Sequence, residues 1–219
     1  MRSYLTYILL CLISINDSWA DFILSPGVEL TSTMKSEEKE GNSKLLKGDV
    51  GFGFVGSMEW RLISPLSFGI GLGYSSRTGH SLFQNQDVTL TDLQTTISQF
   101  NAEAGIKLRI INTRKVKLFI GGGISIGSMA LTFDKDDFID RTHSLIGFES
   151  GEAKGYQGHY FDAGIEYIIN NKNALRFSAK HQQIETDDFE NLNNQSVSLS
   201  NTSFSIQYMH YVSWSFFVK

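Results

Sequence analysis

The chain of 219 residues has a single cysteine and only two prolines, and charged residues make up 19% of it. The cysteine, Cys11, lies in the first apolar segment, so the rest of the chain has no thiol for a disulfide or a cysteine-ligated metal site. The formal net charge is -4, and this mildly acidic balance argues against a nucleic-acid partner. Beyond the first segment, no apolar run is long enough to cross a bilayer as a helix.

Glycine is frequent, with 20 residues, and aromatic residues make up 12% of the chain. Combined with the low proline content, this composition is typical of many strands joined by polar loops. It is unusual for a disordered chain, which has few aromatic residues.

The first twenty residues have the features of a secretory signal peptide. Arg2 precedes a mostly apolar run from 4 to 15, which is too short to span a bilayer as a helix. Ser18 and Ala20 place small residues at the two positions that matter before a cleavage site. We therefore expect cleavage after Ala20, rather than an uncleaved anchor, followed by export and a single domain over 21–219.

Alternation of apolar and polar residues with period two is the main signal in the rest of the chain. It is clearest over 52–62 and 68–74, where apolar side chains on one face oppose glycines, serines and charges on the other. Five further segments repeat the pattern, and a weaker one comes first. The alternation predicts eight strands, at about 22–33, 52–62, 67–75, 97–110, 118–127, 160–169, 175–180 and 203–216.

The connections between these strands alternate in length. Three are short, at 63–66, 111–116 and 170–173, whereas four are long and polar, at about 34–48, 76–94, 132–156 and 183–198. Short turns at one end and long loops at the other are typical of outer-membrane barrels, whose long loops face outside. An even number of strands places both termini at the short-turn, periplasmic end.

The composition of the two faces indicates which solvent surrounds the barrel. The apolar face carries no Asp, Glu, Lys or Arg in any predicted strand, so in water it would be a large apolar band prone to aggregation. A soluble barrel of the lipocalin type, which turns its apolar face inward, is the alternative. Aromatic residues near the strand ends predict two interfacial girdles. The periplasmic girdle is Trp60, Phe68, Tyr167, Trp214 and Phe216, and the outer girdle is Phe52, Tyr74, Phe100, Phe161 and Phe204.

On this pattern, residues from about 22 to 217 resemble the small outer-membrane β-barrels of the OmpA and OmpX type. The final predicted strand has the alternating aromatic residues of such families, at Phe204, Tyr208, Trp214, Phe216 and Phe217, and then continues with Val218-Lys219. The resemblance implies an all-β, eight-stranded, antiparallel up-and-down transmembrane barrel in the outer membrane. It also implies a monomer that the barrel-assembly machinery inserts and that outer-membrane lipid and lipopolysaccharide surround.

Ten charged residues fall on the predicted inner face. Five are acidic and five basic: Glu29, Glu59, Glu103, Asp162, Glu166, Arg61, Lys107, Arg109, Arg176 and Lys180. They could form a gate or ion path, or a plug of salt bridges that fixes strand register. We expect the plug, because an eight-stranded lumen is filled by side chains and buried charges require partners.

A membrane-embedded hydrolase is another alternative. The lipid A deacylase barrels resemble this chain in size and strand number, and pair a histidine with a serine two residues later on the same face. Here His210 is followed by Val212, and Ser213 lies on the opposite face. We therefore expect no catalytic residues.

Two long connections are acidic and could bind divalent cations. Their residues are Asp134, Asp136, Asp137 and Asp140 in one, and Glu185, Asp187, Asp188 and Glu190 in the other. A solvated acidic surface is the interpretation we favour, since the spacing lacks the glycine and distal glutamate of an EF-hand loop. No cofactor motif is found. The expected role is structural or surface interaction through the long loops, with a small pore or a lipid A hydrolase as alternatives.

Overall fold

The computed structural model describes residues 22–32, 34–36, 45–63, 65–85, 88–133, 153–186 and 197–212. The predicted signal peptide, its cleavage site, Trp214 and Phe216 lie outside these residues. The described residues form ten strands: β1 (Phe22–Thr31), β2 (Met34–Ser36), β3 (Leu45–Gly48), β4 (Gly51–Ile63), β5 (Leu66–Asn85), β6 (Val88–Asn112), β7 (Val116–Phe133), β8 (Ala153–Asn170), β9 (Asn173–Thr186) and β10 (Val197–Val212). Within the described part of the chain, no helix is long and apolar enough to cross a membrane.

Eight of these strands close into a barrel. The order around the barrel is β1, β4, β5, β6, β7, β8, β9 and β10, with every neighbouring pair antiparallel. Pairing of β1 with β10, from Phe22 opposite Val212 to Thr31 opposite Ser203, completes the ring. The predicted eight-stranded up-and-down barrel is therefore confirmed.

The short strands β2 and β3 extend the barrel at its long-loop end. They pair with each other and fill the space between β10 and β5, beyond the point where β1 and β4 stop. Hydrogen bonds from Ser32 N to Thr202 O (2.7 Å) and from Asp49 N to Thr78 O (2.8 Å) maintain the ladders at the interruptions. The predicted 34–48 loop thus contains a small hairpin.

The strands are longer than the alternation predicted, and the prediction of a long loop at 76–94 is wrong. Strand β5 runs to Asn85 and β6 begins at Val88, so only two residues separate them. Likewise, strands extend into both ends of the predicted 132–156 and 183–198 loops. The prediction failed because outward side chains become polar beyond Tyr74, as at Ser76 and Thr78, so the apolar period ends while backbone pairing continues.

The three predicted short turns are present. At the β8–β9 turn, Asn170 Oδ1 accepts hydrogen bonds from Lys172 N (2.9 Å) and Asn173 Nδ2 (3.1 Å). At the β6–β7 turn, Thr113 Oγ1 accepts a bond from Val116 N (3.0 Å) and donates one to Val116 O. Such side-chain to backbone bonds hold tight turns and favour Asn and Thr at these positions.

The barrel has an apolar exterior and a polar interior. Large apolar side chains are exposed on the outer face, including Leu72 (58%), Ile124 (65%) and Phe161 (67%). Inward side chains are mostly polar or charged, and those near the axis are buried. A strand crosses a membrane in about 9–11 residues, so β6, with 25 residues, projects well beyond the apolar band.

Candidate functional site

The lumen is the best-defined candidate site, because it concentrates nearly all the buried charges. At the short-turn end of the interior, Glu59 on β4 and Glu166 on β8 are fully buried, as is Arg176 on β9. Arg109 on β6 is only 4% exposed. These four side chains, from four different strands, form what we call the axial cluster.

The axial cluster is held by charge-assisted hydrogen bonds that cross the lumen. Arg176 donates through Nη2 to Glu166 Oε1 (2.7 Å) and Glu59 Oε2 (3.0 Å), and through Nη1 to Glu59 Oε1. Arg109 donates to both Glu166 oxygens, at 3.0 and 3.1 Å, and to Glu59 Oε2 at 3.3 Å. Each carboxylate therefore faces both guanidinium groups, an arrangement that compensates much of the cost of burying four charges.

Phe119 closes the remaining space beside this cluster. It is only 1% exposed, and its ring lies 5.1 Å from the Arg176 guanidinium carbon and 5.3 Å from Lys107 Nζ. Cations at such distances from a ring face are attracted by its quadrupole. The sequence analysis did not single out this residue. Its position directly before the outward-facing Ile120 places it on the inner face of β7.

A second group of charges lies further along the axis. Lys180 Nζ is 2.6 Å from Glu103 Oε1 and 3.4 Å from Glu29 Oε2. Lys107 connects Glu59 of the axial cluster to Asp162, because its Nζ lies 2.9 Å from Glu59 Oε1 and 3.5 Å from Asp162 Oδ2. Between the two groups is a cavity of about 50 Å³, which is room for one or two water molecules.

A third level of the lumen consists mainly of uncharged polar side chains, and the sequence analysis did not single it out. Arg77 is 2% exposed and donates to Ser32 O (3.2 Å) and Gln99 Oε1 (3.0 Å). Gln99 Nε2 in turn donates to Tyr156 Oη at 2.9 Å, and Gln182 donates to Ser125 Oγ at 2.9 Å. Arg77 and Tyr156 fall in segments predicted as loops, whereas Gln99 and Ser125 lie within predicted strands, near their ends. Extending the inner-face alternation of β5 past Ser75 would have found Arg77.

The structure brings together nine of the ten predicted lumen charges in the ion pairs given above. Arg61 lies at the short-turn end, with its guanidinium carbon 5.3 Å from the centre of the Tyr211 ring. Arg109 and Arg176 share one level with Glu59 and Glu166, because their long side chains reach along the axis to the carboxylates.

The aromatic residues predicted for the girdles lie on the outer face wherever the structure describes them. At the short-turn end, Phe22, Trp60 and Phe68 on three adjacent strands form a continuous group, with ring centres 5.8 and 5.9 Å apart. Tyr167 is exposed at the same end of β8. Towards the long-loop end, the exposed rings are Phe52, Tyr74, Phe100, Phe161 and Phe204.

Histidines on the outer face contact amide and hydroxyl groups. His210 Nδ1 lies 2.9 Å from Asn173 Oδ1, beside the β8–β9 turn, and an amide is not a nucleophile. His181 Nδ1 lies 3.1 Å from Thr202 Oγ1. Ser213 lies outside the described residues. Across the described part of the chain, no three His, Cys, Asp or Glu side chains are arranged to hold a metal ion.

Comparisons with known proteins agree with this architecture. The sequence profile of the family described as "Outer membrane protein beta-barrel domain" matches residues 15–207. A search of curated proteins by sequence found no match. Among solved structures, the outer membrane protein OprG from Pseudomonas aeruginosa is 10% identical with a TM-score of 0.58, and the alignment covers 90% of this chain and 98% of OprG. Neisserial surface protein A is 14% identical with a TM-score of 0.53, covering 88% of this chain and 99% of that protein.

Proposed function

This chain belongs to the family of outer-membrane β-barrel proteins, and we propose that it is a non-catalytic, non-conducting barrel that acts through its long-loop end. The lumen is a structural plug, and the surface presented outside the cell carries the interaction. In this proposal the apolar band anchors the protein in the membrane. The strands that continue beyond that band form a rigid base for the connecting segments.

The axial cluster is the observation that carries the plug. Two carboxylates and two guanidinium groups, none more than 4% exposed, meet across the full width of the interior. An ion path requires continuous hydrated space and tends to be lined by charges of one sign. Here opposite charges neutralise each other at close range, and the cavity beyond them holds only about 50 Å³.

The surface role is supported by the change from apolar to polar outward side chains along the strands. Outward side chains past the aromatic band are polar, as at Thr78, Gln94, Thr96 and Gln157. The β5–β6 hairpin contributes the longest extension, ending at Asn85 and Val88. Strands with a polar outward face and a buried inner face present a stable base outside the membrane, on which binding segments are commonly carried.

Planar-bilayer recording of the purified, refolded protein tests the plug. We expect no steady current through the unmodified barrel, and a clear increase for the double variant Glu59→Ala/Arg176→Ala, which removes one acid and one base from the axial cluster. Glu185→Ala is the matched control, because Glu185 is exposed on the outer side of β9. A large, steady, ion-selective current through the unmodified protein would place it among the pores.

Two further measurements separate the remaining functions. Incubation with lipopolysaccharide, followed by mass spectrometry of the lipid A acyl chains, should show no change; loss of an acyl chain would make the protein a hydrolase. A partner screen with the folded barrel should be repeated with 136–150 replaced by a short glycine-serine linker. We expect this variant to fold and to lose surface binding, whereas unchanged binding would remove this segment from the proposal.

A further inference from the structure

A groove of about 740 Å³ crosses the outer face of the barrel wall from β10 to β5. It lies along two rows of paired outward residues that run across the strands. The row nearer the long-loop end is Thr202, His181, Phe161, Gly122 and Ile106, and the row nearer the short turns is Ala179, Ala163, Ile120, Leu108 and Leu66. Since β5 and β10 are five strand spacings apart, at about 4.8 Å each, the groove is about 24 Å long.

Small residues at outward positions of the apolar band create this groove. Ala163 and Ala179 are cross-strand partners on β8 and β9, and Gly122 lies on β7. A Cβ on Gly122 would lie 3.2 Å from Cδ1 of the Phe161 ring, so this ring leans over β7 and forms one wall. Ile120, which is 48% exposed, stands on the other side. The result is a depression between large apolar side chains rather than a flat surface.

Three inward-facing residues, Gly121, Asp162 and Lys180, also border the groove. The charged groups of Asp162 and Lys180 lie on the lumen side, where Asp162 pairs with Lys107 and Lys180 pairs with Glu103. The side chains that project into the groove are therefore apolar everywhere except at its β9–β10 end. Because this surface belongs to the apolar band, the material that meets it in a membrane is hydrocarbon. A flexible acyl chain can follow a slanted groove and gain more contact there than against a flat wall.

His181 and Thr202 make the β9–β10 end of the groove polar. Along β9 the outward side chains change from apolar at Ala179 to polar at His181 and Gln183, so His181 marks the outer boundary of the apolar band. His181 Nδ1 lies 3.1 Å from Thr202 Oγ1. When the threonine hydroxyl donates to Nδ1, the neutral ring carries its proton on Nε2, which can donate to a group outside the barrel. The groove thus has the polarity of a lipid, with one polar end and an apolar length.

We propose that this groove binds one lipid A molecule, with an acyl chain along the groove and a phosphate or sugar hydroxyl at His181. The polar end of the groove is at the long-loop end, which faces outside, and lipopolysaccharide forms that leaflet of the outer membrane. A phospholipid of the inner leaflet would place its headgroup near Leu66 and Leu108, where the groove offers only leucine side chains. The site is on the outside of the barrel wall, so it does not depend on the plug.

Titration of the folded barrel with hexa-acyl lipid A tests the site, using nanodiscs of phosphatidylcholine. We expect the amide chemical shifts of Gly122, Ala163, Ala179 and His181 to move together and to saturate, while that of Gly56 on β4, across the barrel, stays unchanged. Native mass spectrometry should retain a single lipid A on the barrel. The double variant Ala163→Leu/Ala179→Leu fills the groove and should bind lipid A about tenfold more weakly. Leucine suits a lipid-facing surface, so insertion and heat-modifiable gel migration should remain normal.

Ala102→Leu/Ala104→Leu is the matched control, because both alanines face outward on β6 but do not line the groove. Its affinity for lipid A should stay within about twofold of the parent. Equal weakening by this variant would mean that the groove has no part in binding and would overturn the proposal. Absence of saturable shifts in the parent barrel would do the same.

Two further arms test the identity of the ligand. His181→Leu should weaken lipid A binding about three- to tenfold, since a hydrogen bond to the headgroup is lost. Unchanged affinity would contradict the headgroup contact and the assignment to lipid A. Phosphatidylglycerol in place of lipid A should give no saturable shift, and equal binding would make the groove a general acyl-chain site and the proposal wrong. Barrel dimers that form through the same residues without lipid A would assign the groove to a second copy instead.

Discussion

Arg176 and Glu59 are 117 residues apart in the chain, yet Arg176 Nη2 lies 3.0 Å from Glu59 Oε2 across the lumen. In the barrel, β9 and β4 are separated by β10 and β1, so this contact spans the interior rather than linking adjacent strands. Arg176 also bonds to Glu166, its direct neighbour on β8. The Arg176 guanidinium therefore links the β8–β9 strand pair to β4 on the opposite wall of the barrel.

Removing the Glu59 charge should destabilise the barrel. Glu59→Gln keeps the side-chain size but leaves Arg176, Arg109 and Lys107 with one buried carboxylate fewer. Breaking one partner of a buried pair costs about 3–5 kcal/mol, and less if water enters. Urea unfolding in lipid vesicles, followed by tryptophan fluorescence, measures the free energy of unfolding.

The control for this prediction is Glu185→Gln on the outer side of β9, which should change the free energy of unfolding by less than about 0.5 kcal/mol. Equal stability of the Glu59 variant and the parent would mean that the axial cluster contributes nothing net. The plug would then rest on steric filling alone.

The sequence predicted the membrane-embedded part of the fold well, because one physical requirement governs it. Lipid outside and a narrow polar lumen inside force strict alternation, so residues 52–62 and 67–75 could be assigned to faces without any structure. Beyond Tyr74 the outward side chains become polar, as at Ser76 and Thr78, and the alternation loses its apolar member. Arg77 was missed for this reason, although its backbone belongs to the same strand.

Contacts across the lumen could not be predicted in the same way. Alternation shows that Glu59 and Arg176 point inward, but which charges meet depends on strand stagger and on side-chain length. Arg61 illustrates the limit: it shares the inner face with Glu59, yet lies beside Tyr211 at the short-turn mouth.

A positive charge on the apolar band should be costly, whereas one beyond it should not. Leu72 and Thr78 are both exposed on the outer face of β5, six positions apart. Leu72→Arg should cost about 2–4 kcal/mol if the residue lies near the bilayer midplane, while Thr78→Arg should cost about 0–1 kcal/mol. Folding into vesicles, assayed by heat-modifiable gel migration and urea titration, compares the two variants.

Identical behaviour of these two variants would contradict the assignment of the apolar band. In particular, a Leu72→Arg protein that inserts as well as the parent would mean that this face does not meet lipid. If Thr78→Arg alone failed to insert, Thr78 rather than Leu72 would be the position that meets lipid. The two variants therefore place the outer boundary of the apolar band between Leu72 and Thr78.

Glycines on the inner face provide a test of how tightly the lumen is filled. A Cβ on Gly105 would overlap Tyr160 Oη and would lie 2.5 Å from the carbonyl oxygen of Gly122. Tyr160 is itself 6% exposed, so its ring has little room to withdraw. Gly105→Ala should therefore destabilise the barrel by about 1–3 kcal/mol through overpacking.

Gly56→Ala is the matched comparison, because Gly56 lies within strand β4 and its Cβ would meet nothing within 4 Å. Replacing a strand glycine where the backbone permits it reduces the entropy of the unfolded chain, so stability should stay equal or rise by about 0.4–1 kcal/mol. Urea unfolding of both variants under one set of conditions gives the difference directly. If Gly105→Ala were as stable as Gly56→Ala, Tyr160 would be free to move aside, and the lumen at that level would be loosely packed rather than plugged.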